Sequence, residues 1–396
     1  MRYQLISDNH SLAEVCNQAS RHRSIALDTE FVRTRTLTPQ LGLIQLYDGD
    51  QLVLIDPLSI SDFTPFIDLL TNPRITKVLH SCSEDIEAFL TFFGQAPSPV
   101  FDTQFAANIL GLGATVGYAR IIDELLDIQL DKGEARTDWL ARPLSDNQLH
   151  YAANDVLYLL PAYEKLAAKI DEIQKRDWVV AEISHLVSKK AAQIPPQWAY
   201  LQVKNNWKLN QKQIYVLKKL AAWRLERARK KDMALNFVLK ESALIDLAQI
   251  QPGEKAELAK IYGVSPQAVR KQGDILLTLI RDAVNEFEQL EDHEKPSRVL
   301  RLIDVHAYKK YASELKAIAQ SVADDANVAV EVVASKKQLN QVLKWWWFDA
   351  DEASAQGLAP DLLSGWRGKL FSRKIIELLG EIPENKRHLL DESILI

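Results

Sequence analysis

Ser24-Ile-Ala-Leu-Asp-Thr-Glu-Phe31 is the stretch on which the fold turns. Asp28 and Glu30 alternate with Ile25, Leu27, Thr29 and Phe31, which is the period-two pattern of a strand and puts both carboxylates on one face. The neighbouring residues are apolar and strand-forming, so a central strand is expected, where two adjacent unneutralised acids are costly to bury. Asp-x-Glu alone also fits a solvated strand face; in this apolar setting it points to a cation held between the two acids.

Downstream, Gly42-Leu-Ile-Gln-Leu-Tyr-Asp48 and Gln51-Leu-Val-Leu-Ile-Asp-Pro57 read as further strands joined by a turn at Asp48-Gly49-Asp50, giving an antiparallel meander. Ile75–Cys82 then reads as a strand between helix-like segments at 62–70 and 83–93, so strands and helices begin to alternate and the first domain is α/β. Beyond Ser145 the pattern is helical to about Ile173, and Pro161 is expected to kink or divide that run. Ile194-Pro195-Pro196 breaks the helical periodicity and suggests a boundary. The reading is therefore a first domain over 1–194, a Trp-bearing linker over 195–209 (Trp198, Trp207), a helical domain over 210–292 and a second helical domain over 298–396. The last two meet at the charged stretch 291–298, which contains Pro296. No short-period repeat or low-complexity tract interrupts this order.

At 396 residues, two or three domains are the expected outcome. With 47% hydrophobic and 26% charged residues the chain has the composition of a globular protein rather than a disordered one. Cys16 and Cys82 are the only cysteines, which argues against a disulfide framework or a cysteine zinc site and leaves oxygen or histidine to hold any metal. The opening MRYQLISDNH lacks the apolar core of a signal peptide, and no run of about 20 apolar residues could cross a bilayer, so a cytoplasmic protein without membrane association is expected. The net charge is −5, yet residues 204–240 carry eleven Lys or Arg against Glu226 and Asp232. That segment could face phosphate.

Two further elements join the strand acids. In His80-Ser-Cys-Ser-Glu-Asp85, Ser81 and Glu84 have capping-box spacing, which would open a helix with Asp85 in its first turn, where the helix dipole favours an ionised carboxylate. His80 is read as a structural histidine, with a ligand or supporting role as the alternative. Tyr151-Ala-Ala-Asn-Asp155 lies in a helix that Ser145 could cap with Gln148 in the reciprocal position, and the i, i+4 spacing puts phenol and carboxylate on one face. Taken singly, each fits an ordinary helix; the order and spacing of all three carry the signal.

With these stretches in view, the chain resembles the DEDD exonuclease superfamily, in its tyrosine-containing subgroup, and within that the ribonuclease D family. The resemblance rests on ALDTEF, LIQL, VLHSCSEDIEAF, FDTQFAA and HYAANDVLYLLPAY. Residues from about 210 to 290, with LAAWRLERARKKDMALNFVL, resemble an HRDC domain, and about 298 to 385, with LLSGWRGKLF, resemble a divergent second copy. The resemblance implies an α/β ribonuclease-H-like core, a mixed sheet flanked by helices, followed by two all-α HRDC-type domains. It also implies 3′-to-5′ exoribonuclease activity that releases nucleoside 5′-monophosphates, with catalytic residues Asp28, Glu30, Asp85, Tyr151 and Asp155. Asp28 would bridge two metal ions, Glu30 and Asp155 would hold the nucleophile-side ion, Asp85 would support the other partly through water, and Tyr151 would orient the attacking water.

Carboxylates without cysteine suit hard cations, so the expected cofactors are two divalent ions, Mg²⁺ or Mn²⁺. The expected partner is RNA with a single-stranded 3′ end, by resemblance a tRNA precursor or another small structured RNA, with no obligate protein partner evident. Arg224, Arg227, Arg229, Lys230 and Lys231 are the candidates for gripping nucleic acid, on a helix whose apolar face includes Leu217, Leu220 and Leu225. The run Trp345-Trp346-Trp347 cannot lie on one helical face, so some rings should pack and another be exposed. The acids do not read a ribose 2′-hydroxyl, so a DNA exonuclease stays open, as does a nonenzymatic nucleic-acid-binding module.

Overall fold

The computed structural model describes residues 2–130 and 137–390, so the final residues of the second helical domain, 391–396, lie outside the described residues. Six strands, β1 (Gln4–Ile6), β2 (Ser24–Val32), β3 (Gln40–Tyr47), β4 (Leu52–Ile55), β5 (Thr76–Leu79) and β6 (Val100–Asp102), form one sheet in the order β1-β4-β3-β2-β5-β6. β2, β3 and β4 are antiparallel neighbours, the last two joined through the Asp48–Asp50 turn, while β1 runs parallel to β4 and β5 and β6 extend the sheet in parallel with β2. The sheet is mixed as expected, and β2 is central.

Helices α1 (Asn9–Ala19), α2 (Thr64–Thr71) and α3 (Ser83–Phe93) cover one face. There Ile25 and Leu27 of β2 are buried with Ile44, Phe66 and Ile86. After α4 (Thr103–Ile109) and α5 (Tyr118–Leu126), the helices α6 (Asp146–Leu157) and α7 (Leu159–Glu172) cover the other face, where Ala26 packs with Leu43, Val78, Ala152 and Val156. Adjacent residues of β2 thus enter different cores, and this parity decides which layer each acid meets.

Ser145 and Gln148 form the expected reciprocal cap of α6. The helical run divides at Tyr158, and Pro161 falls in the first turn of α7, where its missing N–H costs nothing. The start of α3 differs from expectation. Its N-cap is Cys82, without a side-chain cap, and Ser81 has φ +56 in the left-handed region, so Ser81 and Glu84 form no capping box. Asp102, from the end of β6, takes over: its Oδ2 accepts from Cys82 N at 2.8 Å while its Oδ1 accepts from Gln104 N and Phe105 N to cap α4.

After α8 (Arg176–Ala191) the chain is helical throughout: α9 (Gln211–Lys231), α10 (Leu235–Val238), α11 (Glu241–Ile250), α12 (Lys255–Leu258) and α13 (Pro266–Gln289), then α14 (Tyr308–Ala326), α15 (Val330–Val333), α16 (Lys336–Trp347), α17 (Glu352–Ala355) and α18 (Gly365–Leu379). The 195–209 connector is not loose. It forms 3₁₀ turns over Pro196–Gln202 and Asn206–Lys208, and Tyr200, Val203 and Leu209 are buried in one core with Leu217 and Leu220 of α9. The second helical unit shares a core with the nuclease-type unit, since Leu315, Val342, Trp345 and Phe371 belong to the same cluster as Ala106, Ile109 and Leu166. Glu182 of α8 fixes this junction by accepting from Trp366 Nε1 at 2.9 Å and pairing with the Arg367 guanidinium. Trp345 is fully buried, and Trp346 and Trp347 pack against that core half-buried, so none of the three is fully exposed. Among the described residues, no helix is long and apolar enough to cross a membrane.

Candidate active site

The parity of β2 turns Asp28 and Glu30 toward the α6 side, and α6 carries Tyr151 and Asp155 one turn apart. One carboxylate oxygen from each of Asp28, Glu30 and Asp155 can be chosen so that all three lie within 4.8 Å of one another. Residues separated by more than a hundred positions therefore converge on one point above the sheet.

Asp85 reaches the site from the other layer. β5 pairs with β2 only along Ser24–Ala26, so the part of β2 bearing the acids continues past the end of β5, and the first turn of α3 lies beside it. Thr29, whose parity is opposite to that of the two acids, donates its hydroxyl to Asp85 Oδ1 at 2.5 Å. The fourth acid is thereby anchored beside the other three without joining their tight cluster.

Burial and mutual repulsion shape the electrostatics. Asp28 is pushed well above the ordinary carboxylate range by burial first, then by Asp85, Asp155 and Glu30. Glu30 is raised to about 9 by burial, then by Asp155 and Asp85. Burial also raises Asp155 to about 7, opposed by its interaction with the Tyr151 phenol, and Asp85 to about 6, opposed by the Thr29 hydrogen bond. Tyr151 is driven above the usual phenol range by burial and then by Asp155, Glu30 and Asp28, so it keeps its proton. Four acids in such a place ionise together only if positive charge joins them.

A bulge and the Arg142–Asp56 ion pair shape the floor of the site. The β2–β3 register slips between Glu30, opposite Leu43, and Phe31, opposite Leu41, so Gly42 is the extra residue. Bulges of this kind re-aim side chains beside functional sites. A Cβ on Gly42 would stand 2.5 Å from the Trp139 carbonyl oxygen, which is why the segment after Thr137 can lie so close. Arg142 holds that segment down: it forms a two-pronged pair with Asp56 (2.9 and 2.6 Å) and donates to the carbonyls of Gly42 and Trp139. Trp139, almost fully buried, then packs against Tyr151 with ring centroids 6.2 Å apart.

The structure thus brings together Asp28, Glu30, Asp85, Tyr151 and Asp155. The Nδ1 of His80 lies 2.9 Å from Thr103 Oγ1 and its ring lies against Tyr118. The basic candidates separate. Arg224 is 6% exposed and donates to the Leu239 carbonyl, so its guanidinium is spent inside the helical core and it leaves the nucleic-acid-binding set. Arg229 is half-buried and donates to the Ile194 carbonyl, Arg227 lies over the Trp223 ring, and Lys230 and Lys231 are exposed. Sequence reasoning missed Thr29, Gly42, Asp102, Trp139 and Arg142. Thr29 and Gly42 stood inside the stretches already read, but nothing local reveals which partner each one meets.

Comparison with known proteins finds relatives along nearly the whole chain. Residues 3–171 match a family described as 3′-5′ exonuclease, residues 213–280 match the HRDC domain, and residues 307–375 match the ribonuclease D C-terminal HRDC domain. The chain is 44% identical over 382 residues to ribonuclease D of Musicola paradisiaca (strain Ech703), covering 96% of this chain and 99% of that protein. It is 40% identical to ribonuclease D of Escherichia coli (strain K12) over 387 residues, covering 97% and 100% of the two chains. The crystal structure of Escherichia coli RNase D, described as an exoribonuclease involved in structured RNA processing, superposes with a TM-score of 0.89 at 40% identity, covering 97% of this chain and 100% of that one.

Proposed function

The chain belongs to the ribonuclease D family of 3′-to-5′ exoribonucleases, and on that premise we propose that Asp28, Glu30, Asp85 and Asp155 hold two divalent cations, Mg²⁺ or Mn²⁺, at the place where RNA is shortened. The observation that carries the reading is the convergence of Asp28, Glu30 and Asp155 oxygens within 4.8 Å, where burial resists their ionisation. Hard oxygen donors without sulfur fit such ions. Bound there, the ions supply the positive charge that makes a water acidic enough to attack and that stabilises charge building on a phosphodiester.

The chain's own residues have separate tasks. Asp28 and Glu30 project from a rigid strand, so their spacing is set by the pleat; Asp155 closes the group from α6, and Thr29 holds Asp85 at its edge. Tyr151 is held against Trp139 and beside Asp155, and orienting the attacking water is the role its hydroxyl takes in this reading. Arg227, Arg229, Lys230 and Lys231 on α9 add positive charge for the incoming strand. The substrates proposed are tRNA precursors and other small structured RNAs with a free single-stranded 3′ end, processed in the cytoplasm. Support for this comes from the similarity to an Escherichia coli enzyme described as acting in structured RNA processing.

The test is degradation of a 5′-labelled single-stranded RNA and its DNA equivalent with Mg²⁺ or Mn²⁺, comparing the wild type with Asp155→Asn. Stepwise shortening from the 3′ end of the RNA, lost in the variant and on chelation, is the expected result. Metal-dependent shortening of the DNA alone overturns the RNA reading, and no shortening of either strand overturns the enzyme.

A further inference from the structure

A cavity of about 550 Å³ lies at the seam between the nuclease-type unit and the first helical unit. Arg35 lines it from the loop that follows β2, and Arg227, Lys231, Lys240 and Lys271 line it from the helical side. Among the described residues of the lining, Asp232 is the one acid. It is already committed, accepting from both Thr38 N and Thr38 Oγ1 through Oδ1. Elsewhere on this helical unit the surface lysines Lys212, Lys219 and Lys255 are tied to Glu288, Glu286 and Asp274. The five seam cations have no such carboxylate partner among the described residues. In a chain of net charge −5, five cations around one lining acid are a local positive excess.

Aromatic surface accompanies the charge. Phe237 borders the same cavity and is 57% exposed, and Tyr262 is 79% exposed with Lys240 Nζ 5.8 Å from its ring centroid. Large rings left open beside unpaired cations are what a single strand needs: phosphates on the cations and bases on the rings. The position also fits. Arg35 follows Glu30 by five residues, so the two lie at most about 18 Å apart along the chain. The two units are fastened across the seam by Thr38 on Asp232 and by Ala234 N donating to Arg35 O at 2.8 Å, which fixes the cavity relative to the acids.

We propose that this seam is a second RNA-binding site, taking the backbone of the single strand on the 5′ side of the nucleotide being removed, with Phe237 and Tyr262 offering stacking surface. The proposal rests on the exoribonuclease reading for its ligand and extends it from the α9 cations to a composite site that includes the nuclease-borne Arg35. An RNA long enough to cross the seam feels the site, and a trinucleotide confined to the acids does not.

The experiment is fluorescence anisotropy of 5′-labelled RNA on the full-length Asp155→Asn protein, with and without Lys240→Gln/Lys271→Gln, as salt is varied. The probes are a trinucleotide and an RNA of about 20 nucleotides, longer than the ~4–16 nucleotides that single-strand-binding folds cover. For the longer RNA the slope of log affinity against log salt becomes shallower by about 1.4, from about 0.7 for each of two lost phosphate contacts. Trinucleotide affinity stays the same. Phe237→Ala/Tyr262→Ala, which keeps the charge and alters only exposed rings, weakens the longer RNA about fivefold or more for each base unstacked. An unchanged slope with unchanged affinity in the aromatic variant, or equal weakening of both RNA lengths, overturns the seam site. If wild type binds the long RNA with the seam-dependent slope but shortens no RNA, the catalytic reading fails and the seam stands.

Discussion

Thr29 Oγ1 donates to Asp85 Oδ1 across 2.5 Å, so the residue between the two strand acids fastens the fourth acid from a different layer. Thr29→Val keeps the shape and removes the donor. Asp85 then loses the hydrogen bond that most opposes its upward shift, and it is freer to turn. Supporting contacts to metal ligands are worth about 10–100-fold in affinity. Calorimetric titration with Mn²⁺ should show binding weaker by about tenfold, and an unchanged isotherm would show that Asp85 needs no such anchor.

The acids make metal-free stability depend on pH in a defined direction. Asp85, Asp155 and Glu30 are raised in the folded chain to about 6, 7 and 9. Their unfolded values lie near 4, so between these limits the folded state binds more protons and loses stability as pH rises. Below about pH 4 this contribution levels off, since the acids are then protonated in both states. Cations that neutralise the ionised acids should reverse the loss. Melting in the presence of a chelator should therefore give a Tm that falls from pH 5 to 9, with an increment from added Mn²⁺ that grows over the same range. A metal increment that is flat with pH contradicts this account.

Tyr151→Phe removes a hydroxyl while keeping the ring against Trp139. If the phenol orients the attacking water, single-turnover cleavage should slow by about 100-fold, the scale of a misplaced reacting group. Mn²⁺ affinity should stay close to wild type, because the four acids remain. Loss of metal binding alongside turnover would mean that the phenol supports the acids instead.

Gly42→Ala places a methyl where the Trp139 carbonyl oxygen is only 2.5 Å away. That obstacle is backbone, held by Arg142 and its pair with Asp56, so it cannot swing aside as a flexible side chain would. Overpacking of this kind costs about 1–3 kcal/mol, read from urea unfolding of the metal-free protein. Because Trp139 supports Tyr151, kcat should fall more than KM rises. A variant as stable and active as wild type would mean the bulge accommodates a side chain.

The helix carrying the basic residues shows how far local periodicity reaches. Leu217, Leu220, Ala221, Leu225 and Ala228 are the buried stripe of α9, and Arg224 falls within the same i, i+3, i+4 series, four residues after Leu220 and three after Ala221. Periodicity alone therefore marked it as inward-facing and Lys230 as outward-facing, whereas Lys231, three residues after Ala228, is exposed because the helix ends there. At the start of α3 the opposite holds. Ser81 and Glu84 have the right spacing for a cap, yet Asp102 from a strand twenty residues later supplies the acceptor, and Ser81 turns into the left-handed region.

What the sequence determined by itself are the relations carried by one segment. The pleat of β2 puts Asp28 and Glu30 on one face and Thr29 on the other, and the turn of α6 stacks Tyr151 on Asp155 beneath a Ser145–Gln148 cap. These follow from fixed repeats of the backbone, period two in a strand and 3.6 in a helix, which need no distant partner. Only the tertiary structure decided that α6 crosses the face bearing the acids, that α3 lies where β5 ends short of them, and that a loop after β2 meets α9 across a basic seam. Those relations depend on how separate elements bury their apolar faces against one another, and packing of that kind is a property of the whole core rather than of any one stretch.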